Sequence, residues 1–255
     1  MRFLVTNDDG IFAPGLAAAV DVLQHFGEVT VVAPDGERSA ASHSITLRKP
    51  LKAERMTIFG GNVPAYAIVG GTPVDCVKLA LGVLLEEKPD CVVSGINAGA
   101  NIGRDIHYSG TIGGAREGSL TGIPSLAVSL DRHDASEPDF GVAKGLFYAV
   151  LSSLRKEGAI EGLLNINLPA IPESACPGIA EAVPDFSLDR YRHMTANQPE
   201  GGVLYWLRDR QAWLEPSRPD SDFHLLREGY ITVSKIGLAA GHDEEQITPI
   251  GGKQR

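Results

Sequence analysis

Cysteine is scarce in this chain. Cys76, Cys91 and Cys176 are odd in number and show no C-x-x-C spacing, which argues against both a disulfide framework and a thiolate zinc site. Cys76 and Cys91 lie within apolar stretches and read as small buried hydrophobes. A basic excess is also missing. The formal charge of −9 argues against a general nucleic-acid binder, which needs a basic face to displace counterions from the phosphate backbone, but says little against a small anionic substrate. Every apolar run is far shorter than the roughly 20 residues that cross a bilayer. The opening Met1-Arg2-Phe3-Leu4-Val5 lacks the basic and apolar regions of a signal peptide, so the expectation is a cytoplasmic protein with no membrane partner. Internal repeats and low-complexity segments are absent as well.

What is present is an ordinary globular composition. With 43% hydrophobic and 22% charged residues over 255 positions, the chain is long enough to bury one sizeable core. Apolar residues at Leu16, Ala19, Val20 and Leu23 mark a helix running to Phe26, and the β-branched run Val29-Thr30-Val31-Val32-Ala33 reads as a buried parallel strand. A βαβ unit is thereby complete by residue 33. Residues 34 to 45 form a long polar loop, and residues 46 to 69 alternate polar and apolar positions, predicting a smaller, partly antiparallel region. Thr72-Pro73-Val74-Asp75 has the order of a helix entry, with a hydroxyl cap, proline at the first turn and a carboxylate on the positive end of the dipole. That helix is expected to reach about Leu85.

Further strands are expected at 89 to 94, 124 to 130 and 163 to 168, with a helix from Phe140 to Leu154. Together these predict a Rossmann-like, three-layer α/β/α fold around a mostly parallel sheet. Residues 1–169 form the core in this division. Residues 170–255, punctuated by Pro172, Pro177 and Pro184, form a C-terminal arm with a β-hairpin near Val203-Leu204-Tyr205-Trp206-Leu207, a capped helix from Ser221 and a strand from Tyr230 returning to the sheet. The aromatic hairpin suggests an oligomer interface, and hence a homodimer or homotetramer. The tail after Gly241 is polar and expected to be mobile.

The first strand empties into Thr6-Asn7-Asp8-Asp9-Gly10. In an open parallel sheet, ligands collect at the carboxyl ends of strands. Two adjacent carboxylates there repel each other unless a cation sits between them, and hard divalent ions prefer oxygen donors. The same residues also favour a plain turn, so the tetrapeptide alone leaves both readings open. A second loop, Gly95 to Gly103, holds three glycines and two asparagines, permitting close backbone approach and offering amide oxygens. Ser109-Gly110-Thr111 follows as a helix start, which serves either as an anion site or as an ordinary cap.

Taken in order, Thr6-Asn7-Asp8-Asp9-Gly10, Val32-Ala33-Pro34, the Ser39 loop leading to Ser44-Ile45-Thr46, Gly71-Thr72-Pro73-Val74-Asp75-Cys76-Val77, Ser94-Gly95-Ile96-Asn97-Ala98-Gly99-Ala100-Asn101 and Tyr108-Ser109-Gly110-Thr111 resemble the SurE family, the stationary-phase survival proteins that are metal-dependent 5′-nucleotidases. The resemblance covers roughly residues 1 to 130. It implies a phosphomonoesterase acting on nucleoside 5′-monophosphates, and in some members on short polyphosphate. It further implies that Asp8, Asp9, Ser39 and Asn97 hold one divalent ion per subunit, Mg²⁺ or Mn²⁺, with Asp8, Asp9 and Asn97 taking part in catalysis. Asn101, Ser109, Gly110 and Thr111 would hold the substrate phosphate.

The chain departs from the family at Ala40, where glycine is usual, and at Ser221-Asp222 and Thr232-Val233-Ser234-Lys235. His43 and His107 are the histidines near these loops, and Asp9 is a third candidate for handling a proton or orienting water. A haloacid-dehalogenase-type phosphatase is a rival, but it needs Asp-x-Asp rather than adjacent aspartates. The non-catalytic alternative is a Mg²⁺-dependent nucleotide- or phosphate-sensing module.

Overall fold

The computed structural model describes residues 1–131, 138–209 and 215–238. Among these residues a nine-stranded sheet has the order β3-β4-β2-β1-β5-β6-β7-β11-β8. Its strands are β1 (Arg2–Thr6), β2 (Glu28–Pro34), β3 (Lys52–Met56), β4 (Ala65–Val69), β5 (Cys91–Ala98), β6 (Ser125–Leu130), β7 (Leu163–Leu168), β8 (Ile179–Glu181) and β11 (Ile231–Ile236). β4, β2, β1, β5, β6 and β7 run parallel to their neighbours, whereas β3 on β4 and β11 on β7 are antiparallel. A separate antiparallel ribbon joins β9 (Tyr191–Asn197) to β10 (Val203–Asp209).

The central strands are apolar on both pleat faces because both are covered. Phe3 and Val5 of β1 join a core with α1 (Pro14–Leu23) and α4 (Phe140–Glu157), while Leu4 faces Cys76, Val77 and Ala80 on and beside α2 (Pro73–Leu79). α3 (Gly110–Leu120) packs beside α2 and sends Ile112 and Ala115 toward Ala127 of β6. Three layers result, as the sequence pattern predicts. No helix of the described residues is long and apolar enough to cross a membrane.

Several boundaries differ from the sequence expectation. α2 has the full reciprocal capping box between Thr72 and Asp75, but after Leu79 the chain continues to Leu84 as a wider π-type turn rather than as α-helix. The 46 to 69 region is partly antiparallel through β3, yet β4 lies parallel to β2 and so extends the main sheet. β5 does not stop at Ser94. It runs on to Ala98 with a register shift against β6 between Ser94 and Asn97, so the permissive loop begins only at Gly99. The helix α5 (Asp222–Arg227) is capped by Ser221 through His224 N at 3.1 Å. The expectation for the tail after Gly241 lies outside the described residues.

Chain order leaves β1 for β2 on one side and for β5 on the other. The carboxyl ends of β1 and β5 therefore border the crevice that a topological switch point creates.

Candidate active site

The Asn-Asp-Asp-Gly segment is a turn, and the turn aims its carboxylates. Asn7 Nδ2 donates to Gly10 O at 2.9 Å. Gly10 has φ +100°, and a Cβ there would come within 2.9 Å of the Gly36 backbone, so only glycine lets the loops after β1 and β2 lie this close. Ile11 N donates to Pro34 O at 2.8 Å and Arg38 N to Asp8 O at 2.6 Å. These bonds bring the Ser39 loop alongside the aspartates.

The loop after β2 is fastened at several further points. Thr46 N donates to Asp75 Oδ1 and Thr72 Oγ1 to Ser44 O, at 2.9 and 2.8 Å. Ser42 N donates to Tyr108 O at 2.9 Å and Ser42 Oγ to His107 O at 2.7 Å. Ser39 Oγ itself donates to Glu37 Oε1 at 2.5 Å.

Asp8 is buried, 5% exposed, against the first turn of α3. Its Oδ1 accepts the Thr111 hydroxyl at 2.5 Å. A Cβ on Gly110 would stand 2.8 Å from Asp8 Oδ2, so the glycine makes room for the carboxylate. Burial is the chief reason that the Asp8 carboxyl is raised to about 6; the Thr111 bond opposes it and the neighbouring Asp9 charge reinforces it. Asp9 is half-buried, and its Oδ2 accepts from Ala98 N at 3.4 Å. Asn97 Nδ2 donates to Gly99 O at 2.7 Å, which leaves the amide oxygen as the acceptor end.

Asp8, Asp9, Ser39, Asn97, Asn101 and Ser109 line one cleft of about 480 Å³. Gly110 and Thr111 stand behind it. Thr111 is fully buried with its hydroxyl committed to Asp8. Ser109 caps α3, accepting from Ile112 N at 3.1 Å, so the cap reading of Ser109 holds whatever else it binds. His43 and His107 do not line this cleft. His43 Nε2 is 3.1 Å from Glu117 Oε2, and burial holds its imidazole below the ordinary pKa. His107 packs on Phe186 with ring centroids 5.2 Å apart.

The sequence reading missed what fixes Asn101 and what the arm contributes. Asn101 N donates to Asn167 Oδ1 at 2.8 Å, Asn101 O accepts from Asn165 Nδ2 at 2.7 Å, and Asn101 Nδ2 donates to Ser129 Oγ at 2.8 Å. A signal for this existed. Asn165 and Asn167 interrupt an otherwise apolar core strand, and a buried amide needs a partner. Asp105, Tyr108, Arg190 and Tyr191 complete the cleft wall, with Arg190 ion-paired to Asp105. Asp222, fully buried, ties this region down by accepting from Gly103 N at 2.7 Å and Asp185 N at 3.0 Å.

The donor set suits a hard cation. Among the described residues no three His, Cys, Asp or Glu side chains cluster as metal ligands. What gathers here is two carboxylates, one deeply buried beside the other, together with a hydroxyl and an amide oxygen, which is an oxygen-only set of the kind Mg²⁺ and Mn²⁺ take.

Residues 3–190 match the model of the family described as "Survival protein SurE". The chain belongs to the SurE family. Among SurE relatives it is 44% identical to the "5'-nucleotidase SurE" of Moorella thermoacetica, over 93% of this chain and 90% of that one. It is 41% identical to the "5'/3'-nucleotidase SurE" of Cronobacter sakazakii, over 97% and 95%. The solved SurE protein of Aquifex aeolicus superposes with a TM-score of 0.82 at 34% identity, covering 94% of this chain and 95% of the other. The shared fold thus extends beyond the motif-bearing first half and includes most of the C-terminal region.

Proposed function

We propose that this chain is a divalent-metal-dependent 5′-nucleotidase, a phosphomonoesterase that converts nucleoside 5′-monophosphates to nucleoside and phosphate. The observation that carries this reading is the buried Asp8 carboxylate, held by Thr111 on the first turn of α3 beside Asp9, in a cleft shared with Ser39 and Asn97. The names of its SurE relatives support the same activity.

In this reading Asp8, Asp9, Ser39 and Asn97 hold one Mg²⁺ or Mn²⁺ per subunit. When bound, the ion supplies Lewis acidity and neutralises charge at the phosphoryl oxygens. Asn101 and Ser109, with Gly110 and Thr111 at the opening of α3, hold the substrate phosphate where the helix dipole favours an anion. Asp9, the more exposed of the two carboxylates, orients the attacking water. No nucleophilic side chain is required, since positioning and charge stabilisation dominate phosphoryl transfer.

The expected working form is a cytoplasmic homodimer or homotetramer. Residues 1–169 are assigned as the catalytic core and 170–255 as the arm. The β9–β10 ribbon is the assembly surface, because Tyr205, Trp206 and Leu207 are exposed on it.

The test is phosphate release from a panel of nucleoside 5′-monophosphates. Turnover is expected to vanish with chelator and return with Mn²⁺ or Mg²⁺. Metal-dependent nucleotide binding without phosphate release would overturn the enzyme reading in favour of a sensing module.

A further inference from the structure

The loop after β2 carries Ser39 on an exposed span between two anchored points. At the near end Arg38 N donates to Asp8 O at 2.6 Å, and Arg38 Nε donates to Gly71 O at 3.1 Å. At the far end residues 42 and 43 lie on α3. A Cβ on Gly113 would stand 2.2 Å from Ser42 O, so the loop backbone rests directly on the helix. Between these points Ala40 and Ser42 both hold positive φ, +55° and +53°. Residues with a Cβ keep such a backbone only where the surroundings over-determine it. The position of Ser39 therefore depends on the far anchor as well as on the near one.

Glu117 of α3 supplies the side-chain part of that far anchor. It is buried, and its two carboxylate oxygens face different elements. Oε1 accepts from Lys78 Nζ of α2 at 2.7 Å, and Oε2 stands 3.1 Å from His43 Nε2 of the loop. A carboxylate taken out of water needs such partners. Lys78 reaches in from the surface, whereas His43 is largely covered. These three side chains join α2, α3 and the Ser39 loop, and none of them lines the cleft.

We propose that His43, Glu117 and Lys78 are positioning residues that hold the Ser39 hydroxyl in the metal site from outside the cleft. Under the metal-ligand reading of Ser39, on which this proposal rests, His43 fixes where the loop leaves α3. The short left-handed span then hands that position on to Ser39. Lys78 orients the Glu117 carboxylate so that the second oxygen is left for His43. The bonds from Ser42 to Tyr108 O and His107 O hold one residue. A contact at the next residue stops the loop from turning about it.

The experiment measures Mn²⁺ affinity by titration calorimetry for His43→Ala, His43→Gln and Glu117→Leu, each with Ser39 present and combined with Ser39→Ala. Far-UV circular dichroism checks that every chain is folded. With Ser39 present, His43→Ala and Glu117→Leu should each weaken Mn²⁺ binding about three- to tenfold, the scale of one hydrogen-bonding contact. His43→Gln places an amide N–H where Nε2 stands and should recover affinity to within about twofold of wild type on the same basis. Combined with Ser39→Ala, the same substitutions should alter affinity by less than about twofold, because coupled residues lose their effect once the group they act on is gone. Equal losses in both backgrounds would overturn the proposal, since the anchor would then act on the fold and not through Ser39. Wild-type affinity in both His43→Ala and Glu117→Leu would overturn it as well. Failure of the metal reading itself looks different: wild type would take up no Mn²⁺, and the positioning role would fall with it.

Discussion

Thr111 Oγ1 donates to Asp8 Oδ1 at 2.5 Å, joining the first turn of α3 to the end of β1 across 103 residues of sequence. This bond converts a turn into an aimed carboxylate. Thr111→Val keeps the side-chain shape and removes the donor. A hydrogen bond to a charged group contributes about 1.5–3 kcal/mol, so Mn²⁺ affinity by titration calorimetry and kcat/KM should both drop by about 10- to 100-fold. Thr111→Ser restores the donor and should recover most of both.

Asp8 also makes stability depend on pH. Burial, opposed by Thr111 and reinforced by Asp9, raises its carboxyl from 3.8 to about 6. Between those values the folded chain keeps a proton that the unfolded chain has released. Stability from this group is therefore greatest below pH 4 and falls as pH climbs through 6, leaving a penalty of about 3 kcal/mol above it. Denaturant unfolding in chelator should show wild type losing up to about this much more stability than Asp8→Asn between pH 4 and pH 7. Added Mn²⁺ at pH 7 should stabilise wild type strongly and Asp8→Asn little.

Ala40 has φ +55° and Ser42 has φ +53°, so the Ser39 loop holds two residues with a Cβ in the left-handed region. Glycine adopts that region freely. Left-handed backbone costs an alanine about 1–2 kcal/mol, and glycine gives back part of this through unfolded-state entropy. Ala40→Gly should raise unfolding stability by about 0.5–1 kcal/mol. Denaturant midpoints at constant m-value check the sign.

Tyr205 and Leu207 are 70% and 65% exposed on the same face of β10, since alternate residues of a strand share a face. Tyr205→Glu with Leu207→Glu should reduce the proposed homo-oligomer to monomers in sedimentation velocity while leaving the circular dichroism unchanged. An unaltered sedimentation coefficient would contradict the proposed assembly surface.

The parallel core was legible because strands buried on both faces read as continuous apolar runs, as at Phe3-Leu4-Val5 and Val29 to Ala33. α2 was legible through Thr72, Pro73 and Asp75, whose local chemistry forms the observed capping box. The continuation of β5 through Gly95 to Ala98 was not, because Gly95, Asn97 and Gly99 are residue types that loops favour. At the site, Asp8, Asp9, Ser39, Asn97, Asn101 and Ser109 were predicted from separate motifs, and they line one cleft. The bond from the Thr111 hydroxyl to Asp8 joins two motifs that lie far apart in the chain, and neither motif announces it. Arg190 and Tyr191 left no local trace. Their place in the cleft depends on how the arm folds back, which Asp222 secures through Gly103 and Asp185.

In the proposed function Asp8 and Asn97 serve one metal-dependent phosphate-releasing site. The most direct measurement titrates Mn²⁺ into wild type, Asp8→Asn and Asn97→Ala, and follows phosphate release from adenosine 5′-monophosphate in the same samples. Wild type should bind one ion per chain and turn over, and both variants should fold normally while losing binding and turnover together. Full phosphate release by either folded variant would contradict the account.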